Sequence, residues 1–506
     1  GIPWVRQEFA GEYGREREGR VRDNPRLETW EGELYFEYHR GTYTSMARNK
    51  RANRKSELMM MDLELLSSIA SETLPYPAEE LDGMWKVMLL NQFHDILPGS
   101  SIHEVYEVTR REYAELAEKA SGLLRARLTA LAGEGEAVTV FNTLGVERDD
   151  LVRLEGVEAD ALTDGAGNVF PVQRTADGAV AYVRGIPPKG YKALMGVGAE
   201  PPAARFHLDG DTLVTPFYVI KFDEHGHFSS IFDREFDREV LQEGRLGNLM
   251  RMFEDKPIYY DNWDIDMYYT EKSWPVDNLT KMEWTELGAV RAALRLEYEI
   301  SGVTIAQNVY FYADSRRIDF ETEVDWTLHQ HLLKVEFPVQ VHSDEATFDI
   351  QFGNLKRKVH KNTSWDQARF ESCGQKWMDF SEGHYGVALL NDCKYGHSVH
   401  DGVLSLTLIK SGIEPNPNAD NDEHVFTYSL YPHAGGWREG GTQAEAIKLN
   451  QPLTAVQGGQ PGDSFSFASV NCENVILETV KQAEDGDGVI LRVIEEQNKR
   501  DNARRT

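Results

Sequence analysis

Residues 91–100 place a histidine and an aspartate side by side, His94 and Asp95, just before the helix breakers Pro98 and Gly99. Adjacent helical residues point about 100° apart, so the pair could serve one pocket only where the helix frays. There, a neutral imidazole is a common zinc ligand, and a carboxylate can accept hydrogen bonds from ligand hydroxyls. The alternative is a structural histidine that is hydrogen-bonded at the end of a packed helix.

A second candidate cluster lies in residues 260–265, where Tyr260 and Trp263 accompany Asp261 and Asp264. Sugars present apolar ring faces together with many hydroxyls, so aromatic rings beside short acidic side chains suit them. The alternative is a strand-to-loop junction with core aromatics and surface carboxylates.

The elements around His94 have helical spacing. In residues 48–70, the apolar positions are Leu58, Met61, Leu65 and Ile69. A second stripe, before Pro98, comprises Leu81, Met84, Val87, Met88 and Phe93. Ser101 and Glu104 match a capping box for a third helix, which would run to about Leu131. Three long helices with short connections predict a bundle.

After Gly133 the pattern changes to short runs rich in Val, Phe and Tyr, which are typical of strands. The clearest runs are residues 137–141, 179–183, 217–222 and 305–312. Residues 224–227 are predicted to form a hairpin turn, and strands recur to about Arg492. The predicted fold class is therefore multidomain α+β, a three-helix bundle followed by large antiparallel β-sandwich domains.

Bulk composition excludes several classes of partner. The net charge of -29 argues against nucleic acid and against an anionic membrane surface. No stretch approaches the roughly 20 apolar residues that span a bilayer. Three scattered cysteines make neither a disulfide framework nor a zinc ribbon, which predicts a cytoplasmic protein.

Several long segments in order resemble glycoside hydrolase family 38 α-mannosidases. Residues 30–45, WEGELYFEYHRGTYTS, are similar to the start of that family's helical middle domain, and residues 50–57 and 91–100 continue the similarity. In the β region, the similar segments are residues 255–257, 260–265, 360–366, 385–396, 424–428 and 431–435. The resemblance covers about residues 30–492.

The resemblance implies an activity and assigns site residues. It implies retaining, zinc-dependent hydrolysis of terminal α-mannosyl linkages, with α-mannoside oligosaccharides as substrates and one divalent zinc ion as cofactor. His94 is the expected metal ligand. The expected substrate contacts are Asp95, Tyr43, Tyr260, Asp261 and Trp263.

A retaining glycosidase needs two carboxyl groups about 5–5.5 Å apart. In this family the nucleophile and further zinc ligands belong to an N-terminal domain, and no convincing equivalent occurs here. Residues 207–209 and 342–344 share only the His-x-Asp spacing, and residues 485–488 form a polar turn. We therefore expect both ends to be truncated relative to the family, no catalytic residue in this chain, and no activity of the chain alone.

The sequence divides into five predicted segments: a remnant or non-native segment at 1–29, the helical middle domain at 30–132, a small β-domain at 133–205, a large β-sandwich at 206–440 and a truncated C-terminal β-domain at 441–506. Sandwich edges favour pairing, so a homo-oligomer is one expectation. Two other functions remain open, a non-catalytic carbohydrate-binding or scaffold protein and an unrelated β-sandwich hydrolase.

Overall fold

The computed structural model describes Gly1, residues 3–200 and residues 202–504. The chain divides into two compact units, Gly1–Glu37 and Tyr38–Thr506. In the first unit, helix α1 (Ala10–Val21) has no buried residue and carries exposed Arg–Glu ion pairs. Such a helix is stabilised by surface pairs rather than by a core.

The second unit begins with three long helices, as the apolar spacing predicts. They are α2 (Ala47–Ile69), α3 (Ala78–Asn91) and α4 (His103–Ala132). Their shared core consists of Met60, Leu63, Leu81, Met84, Met88, Tyr113, Leu116 and Ala120. Shorter helices follow at α5 (Ser364–Ala368) and α6 (Thr442–Asn450), and 3-10 turns lie at Arg40–Tyr43, Ala70–Glu72 and Met267–Glu271.

The strands form antiparallel sheets. An eight-stranded sheet contains Val138–Asn142, Arg148–Leu154, Ala161–Thr163, Val169–Thr175, Gly178–Ile186, Gly190–Val197, Thr454–Gln457 and Ser464–Ser466. A five-stranded sheet contains His207–Asp209, Thr212–Val214, Tyr218–Phe222, Phe228–Asp233 and Arg238–Glu239. The hairpin of Val475–Gln482 and Val489–Glu495 forms a two-stranded sheet.

Two larger sheets complete the β region. A six-stranded sheet has the spatial order Ser273–Pro275, Leu249–Glu254, His331–Pro338, Val403–Ser411, Gly396–His400 and Ser372–Cys373. A nine-stranded sheet contains Leu279–Leu287, Arg291–Ile300, Val303–Tyr312, Ile318–Asp325, Glu423–Ala434, Tyr385–Asn391, Trp377–Ser381, Glu345–Ile350 and Gly353–Lys358. The largest apolar core joins both of them to the five-stranded sheet, with Phe228, Phe320, Phe337 and Tyr428 among its buried members.

The predicted fold class is confirmed, because a helical region precedes many antiparallel sheets. The hairpin turn at residues 224–227 is also confirmed, since it joins Tyr218–Phe222 to Phe228–Asp233. The predicted capping box is wrong. Ile102 is the N-cap of α4 and gives no side-chain cap, while the Ser101 hydroxyl donates to the carbonyl oxygen of Asp95 at 2.8 Å.

Hydropathy along the helices bears on membrane crossing. Within the described ranges, no helix combines the length and the apolar content that a transmembrane span requires.

Candidate functional site

The segment that carries His94 begins where α3 ends at Asn91 and runs through tight turns to Ser100. Gly99 has a φ of +94°, and a Cβ atom there would lie 2.3 Å from the carbonyl oxygen of Ser45. Only glycine fits such a left-handed position against the neighbouring backbone. The helix break at Pro98 and Gly99 therefore sets how closely the segment approaches residues 39–46.

His94 lies at the surface, with 75% of its side chain exposed. Its Nε2 atom is 3.8 Å from Oδ2 of Asp95, which is beyond hydrogen-bond distance. The ring tilts against Phe93, with 4.4 Å between centroids. This is not the buried, hydrogen-bonded histidine of the structural alternative. The imidazole is available to a ligand, and its role as a metal ligand stays a prediction.

Asp95 lies beside His94 and is held on one side only. Its Oδ1 atom accepts a hydrogen bond from the Ser100 hydroxyl at 3.0 Å, and 53% of its side chain is exposed. The Asp95 carbonyl oxygen also accepts from the Tyr106 hydroxyl at 3.2 Å. The backbone is thus fixed from behind, while the carboxylate keeps acceptor capacity towards solvent. We call His94 and Asp95 the exposed tip.

Lys50 supports the exposed tip from the interior of α2. Its ammonium donates to the carbonyl oxygens of Ser45, Leu97 and Pro98 at 2.5, 2.9 and 3.1 Å. Three acceptors match the three donors of an ammonium group. Burial lowers the pKa of Lys50 to about 7, and the negative charge of Asp420 opposes that effect.

Asp420 fixes the start of α2 from the β region. Its carboxylate accepts from the backbone N–H groups of Met46 and Ala47 at 2.6 and 2.7 Å. Met46 is the N-cap and has a left-handed backbone, so its side chain does not cap the helix. A carboxylate from another element takes that place and also suits the positive end of the helix dipole.

Asn262 links the loop of residues 258–264 to both segments. Its carbonyl oxygen accepts from the Ser45 hydroxyl at 2.6 Å, and its side-chain amide donates to the Gly99 carbonyl oxygen at 3.3 Å. The backbone N–H of Thr42 also donates to the Trp263 carbonyl oxygen at 3.2 Å. We call Lys50, Asn262 and Asp420 the buried base.

Tyr260 and Trp263 lie together on this loop. Tyr260 is 66% exposed and adopts a φ of +59°, which is unusual for a bulky residue. The two rings meet edge to face at 5.7 Å between centroids. Tyr43 is half-buried and lines a cavity of about 380 Å³ with Gln92 and Leu97. The predicted aromatic contacts therefore occur near segments that are bonded to the His94 segment.

Asp261 differs from the other predicted contacts because its side chain points into the protein. It is buried, and its carboxylate accepts from the backbone N–H groups of Ile413 and Glu414 at 2.9 and 2.8 Å. These bonds give Asp261 a structural part in holding its loop against residues 411–414. A substrate contact by this side chain stays a prediction.

The donor set is too small for a complete metal site. Among the residues that the structure describes, no group of three or more His, Cys, Asp or Glu side chains could hold a metal ion. A catalytic zinc usually has three protein ligands. His94, with its exposed ring, fits one ligand position and no more.

An apolar rim next to the exposed tip was missed by sequence reasoning. Phe93, assigned to the core stripe of α3, is 59% exposed, and Leu89 and Leu90 are exposed as well. The sequence did contain a signal for this rim, because the three residues do not follow the helical spacing of the buried residues Leu81, Met84 and Met88. Ile258 and Tyr259 add exposed apolar surface on the neighbouring loop.

Three family models match the chain. "Alpha mannosidase middle domain" matches residues 37–131, "Glycosyl hydrolases family 38 C-terminal domain" matches residues 213–418, and "Glycosyl hydrolases family 38 C-terminal beta sandwich domain" matches residues 474–504. The middle-domain match contains the exposed tip, and the C-terminal match contains Asn262.

Curated relatives carry the same description. Alpha-mannosidase 2C1 of Homo sapiens is 38% identical over 488 residues, which are 94% of this chain and 46% of that protein. Alpha-mannosidase G of Dictyostelium discoideum is 31% identical and aligns with 93% of this chain and 48% of its own length. The chain thus spans about half the length of the curated relatives that it matches.

A solved structure shares the fold. The crystal structure of an alpha-mannosidase from Enterococcus faecalis V583 superposes with a TM-score of 0.81 at 16% identity. The superposition covers 97% of this chain and 67% of that chain. At this identity the likeness supports the architecture alone.

Proposed function

Since the chain belongs to glycosyl hydrolase family 38, whose middle and C-terminal domains it carries, we propose that it forms part of an α-mannosidase. The reaction proposed for the intact protein is hydrolysis of terminal α-mannosyl linkages with retention of configuration. α-Mannoside oligosaccharides are the proposed substrates. The observation that carries this proposal is the exposed imidazole of His94, 3.8 Å from the Asp95 carboxylate, at the junction of the middle and C-terminal domains.

His94 is proposed as one ligand of a zinc ion whose remaining ligands come from the rest of the intact protein. A bound zinc would act as a Lewis acid that holds sugar hydroxyls. The ring meets the requirements of a ligand, since it is exposed and has Asp95 as a neighbouring carboxylate. Asp95 in turn is proposed to accept hydrogen bonds from the sugar, because Ser100 engages Oδ1 and about half of the side chain is exposed.

The aromatic residues are proposed to complete the sugar-binding surface. Tyr260 and Trp263 form an edge-to-face pair with an exposed face, which suits the apolar face of a pyranose ring. Tyr43 is proposed to contribute from the helical side, through the cavity that it shares with Gln92. Asp261 would then act mainly by holding the loop.

The catalytic carboxyl pair is proposed to lie outside these 506 residues. Retaining hydrolysis requires a nucleophile and an acid about 5–5.5 Å apart. The exposed apolar rim of Leu89, Leu90 and Phe93 is proposed to face the part of the protein that carries this pair, because such a surface favours contact with other protein.

The cellular setting and the assembly are proposals as well. In the part of the chain that the structure describes, Cys373, Cys393 and Cys472 form no disulfide with one another, which suits the reducing cytoplasm. Self-association is proposed through open sheet edges, and light scattering of the purified chain would detect it.

The test of the proposal is an activity assay on the 506-residue chain. With an aryl α-mannoside and added zinc, we expect turnover no higher than background, because the carboxyl pair is proposed to lie outside these residues. The longer protein that contains this chain should turn over the same substrate. Robust turnover by the 506-residue chain, or none by the longer protein, would contradict the proposal.

A further inference from the structure

The outer face of the six-stranded sheet carries a second polar cavity. A cleft of about 380 Å³ lies over strands His331–Pro338, Gly396–His400 and Val403–Ser411. Its lining includes Glu336, Ser398, His400 and Ser405 from the strands, with Lys361 and Phe370 from the segment that flanks α5. We call this cavity the sheet cleft.

Strand register brings the polar residues of the sheet cleft onto one face. Glu336 pairs with Ser405, and Ser405 pairs with Ser398 across the next strand. Paired positions point to the same face of a sheet, so these side chains form one row. His400 lies two residues after Ser398 and therefore shares that face. His400 and Ser405 are diagonal neighbours, roughly 7–8 Å apart, so one small ligand can reach both.

Two polar atoms on this face are buried and unpaired. Ser405 is only 6% exposed, and its Oγ atom has no hydrogen-bond partner within the described ranges. The same holds for Nε2 of His400. Buried polar atoms are nearly always paired, so each of these needs a partner from outside the chain. Both belong to residues that line the sheet cleft.

The protonation of His400 determines what that partner must be. Its Nδ1 atom lies 3.2 Å from the carbonyl oxygen of Val359, so Nδ1 carries the proton and donates. Burial, assisted by the positive charge of Lys361, lowers the pKa of His400, and the ring is neutral. Nε2 is therefore a lone-pair acceptor, and its partner must donate a hydrogen bond.

This requirement argues against an anion. A phosphate dianion or a carboxylate has no proton to donate to Nε2, and the carboxylate of Glu336 also lines the cleft. Arg245 and Lys361 add positive charge, but both side chains are exposed. The buried Lys334 is already paired with Glu371 at 2.5 Å.

A metal ion is disfavoured for a different reason. Lys334 and Lys361 place positive charge close enough to His400 to lower its pKa, and the same charges would repel a cation. The described residues also supply no set of three metal-binding side chains here.

A hydroxyl group meets both requirements, because it donates to Nε2 and can donate to or accept from the Ser405 hydroxyl. The other side of the cleft is aromatic. Phe253, Tyr269 and Phe370 pack in sequence, with ring centroids 5.2 and 5.8 Å apart. Several hydroxyls on an otherwise apolar ring are the features of a saccharide.

We propose that the sheet cleft is a saccharide-binding site, separate from the exposed tip, in which sugar hydroxyls bond to Nε2 of His400 and Oγ of Ser405. This also gives a function to the segment of residues 360–366, where the Thr363 and Asp366 capping box fixes α5 beside the cleft. The proposal does not depend on α-mannosidase activity, since it uses no residue of the exposed tip.

The test is an NMR titration of the 506-residue chain with ¹⁵N-labelled histidine. The probes are methyl α-D-mannopyranoside and methyl β-D-glucopyranoside, with inorganic phosphate for the anion alternative. The His400 resonances are assigned from their loss in His400→Asn, whose amide can still donate to Val359. We expect at least one saccharide to shift the Nε2 resonance of His400 in a saturable manner.

Ser405→Ala should weaken that binding at least fivefold. It removes an unpaired hydroxyl and should therefore leave the fold intact. Ser464→Ala, on an exposed strand of the eight-stranded sheet, is the matched control and should bind as the parent does. No shift with either saccharide would mean that water alone fills the cleft and would overturn the proposal. Phosphate binding that depends on Ser405 would overturn it as well.

Discussion

The exposed tip and the buried base belong to adjoining segments, because Lys50 donates to the carbonyl oxygens of Leu97 and Pro98. Their environments are opposite, since the side chains of the tip are exposed to solvent and those of the base are buried. Within the described ranges, the side chains of His94 and Asp95 have one hydrogen bond to other residues, which Ser100 donates to Asp95. Lys50 and Asp420 make five side-chain bonds to backbone groups between them. The two side chains of the exposed tip thus have few contacts, whereas Lys50 and Asp420 are held by several hydrogen bonds to backbone groups.

We infer from this difference that the buried base contributes to stability and that the exposed tip contributes to function. An exposed side chain with few partners contributes little to the free energy of unfolding, whereas a buried charged group with several hydrogen bonds contributes strongly. Substitutions in the base should therefore lower stability, and substitutions in the tip should affect only binding and turnover.

The largest effect is expected for Asp420→Ala. The substitution removes the acceptor of two backbone N–H groups at the start of α2 and leaves them buried without a partner. We expect a loss of about 3 kcal/mol in the free energy of unfolding, measured by urea denaturation. Asp422→Ala is the control. This partly exposed residue pairs with Arg48 and Arg110 and accepts from the backbone N–H of Glu423, and its loss should cost less than about 1 kcal/mol. Equal losses in the two variants would contradict the assignment of Asp420 to the base.

Lys50→Met should be next in size. Three backbone carbonyl oxygens lose their donor, and the free energy of unfolding should fall by about 2 kcal/mol. Lys86→Met is the matched control in α3, since Lys86 is exposed and pairs with the exposed Asp82. Its effect should stay within about 0.5 kcal/mol. If the Lys50 variant were as stable as the Lys86 variant, the stabilising role assigned to Lys50 would be contradicted.

Glu496 provides a third case for the comparison. It is buried, as the residues of the base are, but its Oε2 atom has no hydrogen-bond partner in the part of the chain that the structure describes. Burial raises its pKa to about 7. Since the unfolded pKa is about 4.3, the folded state holds more protons between those values, and stability falls as pH rises through that window.

Glu496→Gln should remove this pH dependence. Above pH 7 the variant should be more stable than the parent by about 1–2 kcal/mol, and below pH 4 the two should unfold alike. Thermal unfolding at both pH values gives the measurement. Glu484→Gln, at an exposed position near the same hairpin, should change neither value. A stability gain that is equal at acidic and alkaline pH would contradict the raised pKa.

Sequence periodicity predicted the helices well, because local spacing determines which face a helix buries. The expected helices of residues 48–70 and 101–131 correspond closely to Ala47–Ile69 and His103–Ala132. Phe93 was wrongly assigned to the core, because α3 ends at Asn91 and the periodic pattern no longer applies beyond it. The similarity of residues 91–100 to a known family, rather than periodicity, drew attention to His94.

The buried base could not be predicted from local pattern, because all of its bonds described above except that from Lys50 to Ser45 join distant parts of the chain. Asp420 reaches residues more than 370 positions earlier, and Asp261 bonds to backbone 152 and 153 positions later. A carboxylate in sequence gives no sign of whether it will face a ligand or a backbone N–H group. The Ser101 hydroxyl was misassigned for a more local reason, because it donates to the carbonyl oxygen of Asp95, six residues earlier, and does not cap α4.

The proposed role of His94 is tested by the zinc content and turnover of its His94→Ala variant in the longer protein that is proposed to contain this chain. We expect zinc to be lost and turnover of an aryl α-mannoside to fall to background. In the 506-residue chain, the same substitution should change the free energy of unfolding by less than about 0.5 kcal/mol. His103→Ala, at another exposed histidine, should keep both metal and rate. A His94 variant that retains its zinc and its turnover would contradict the account.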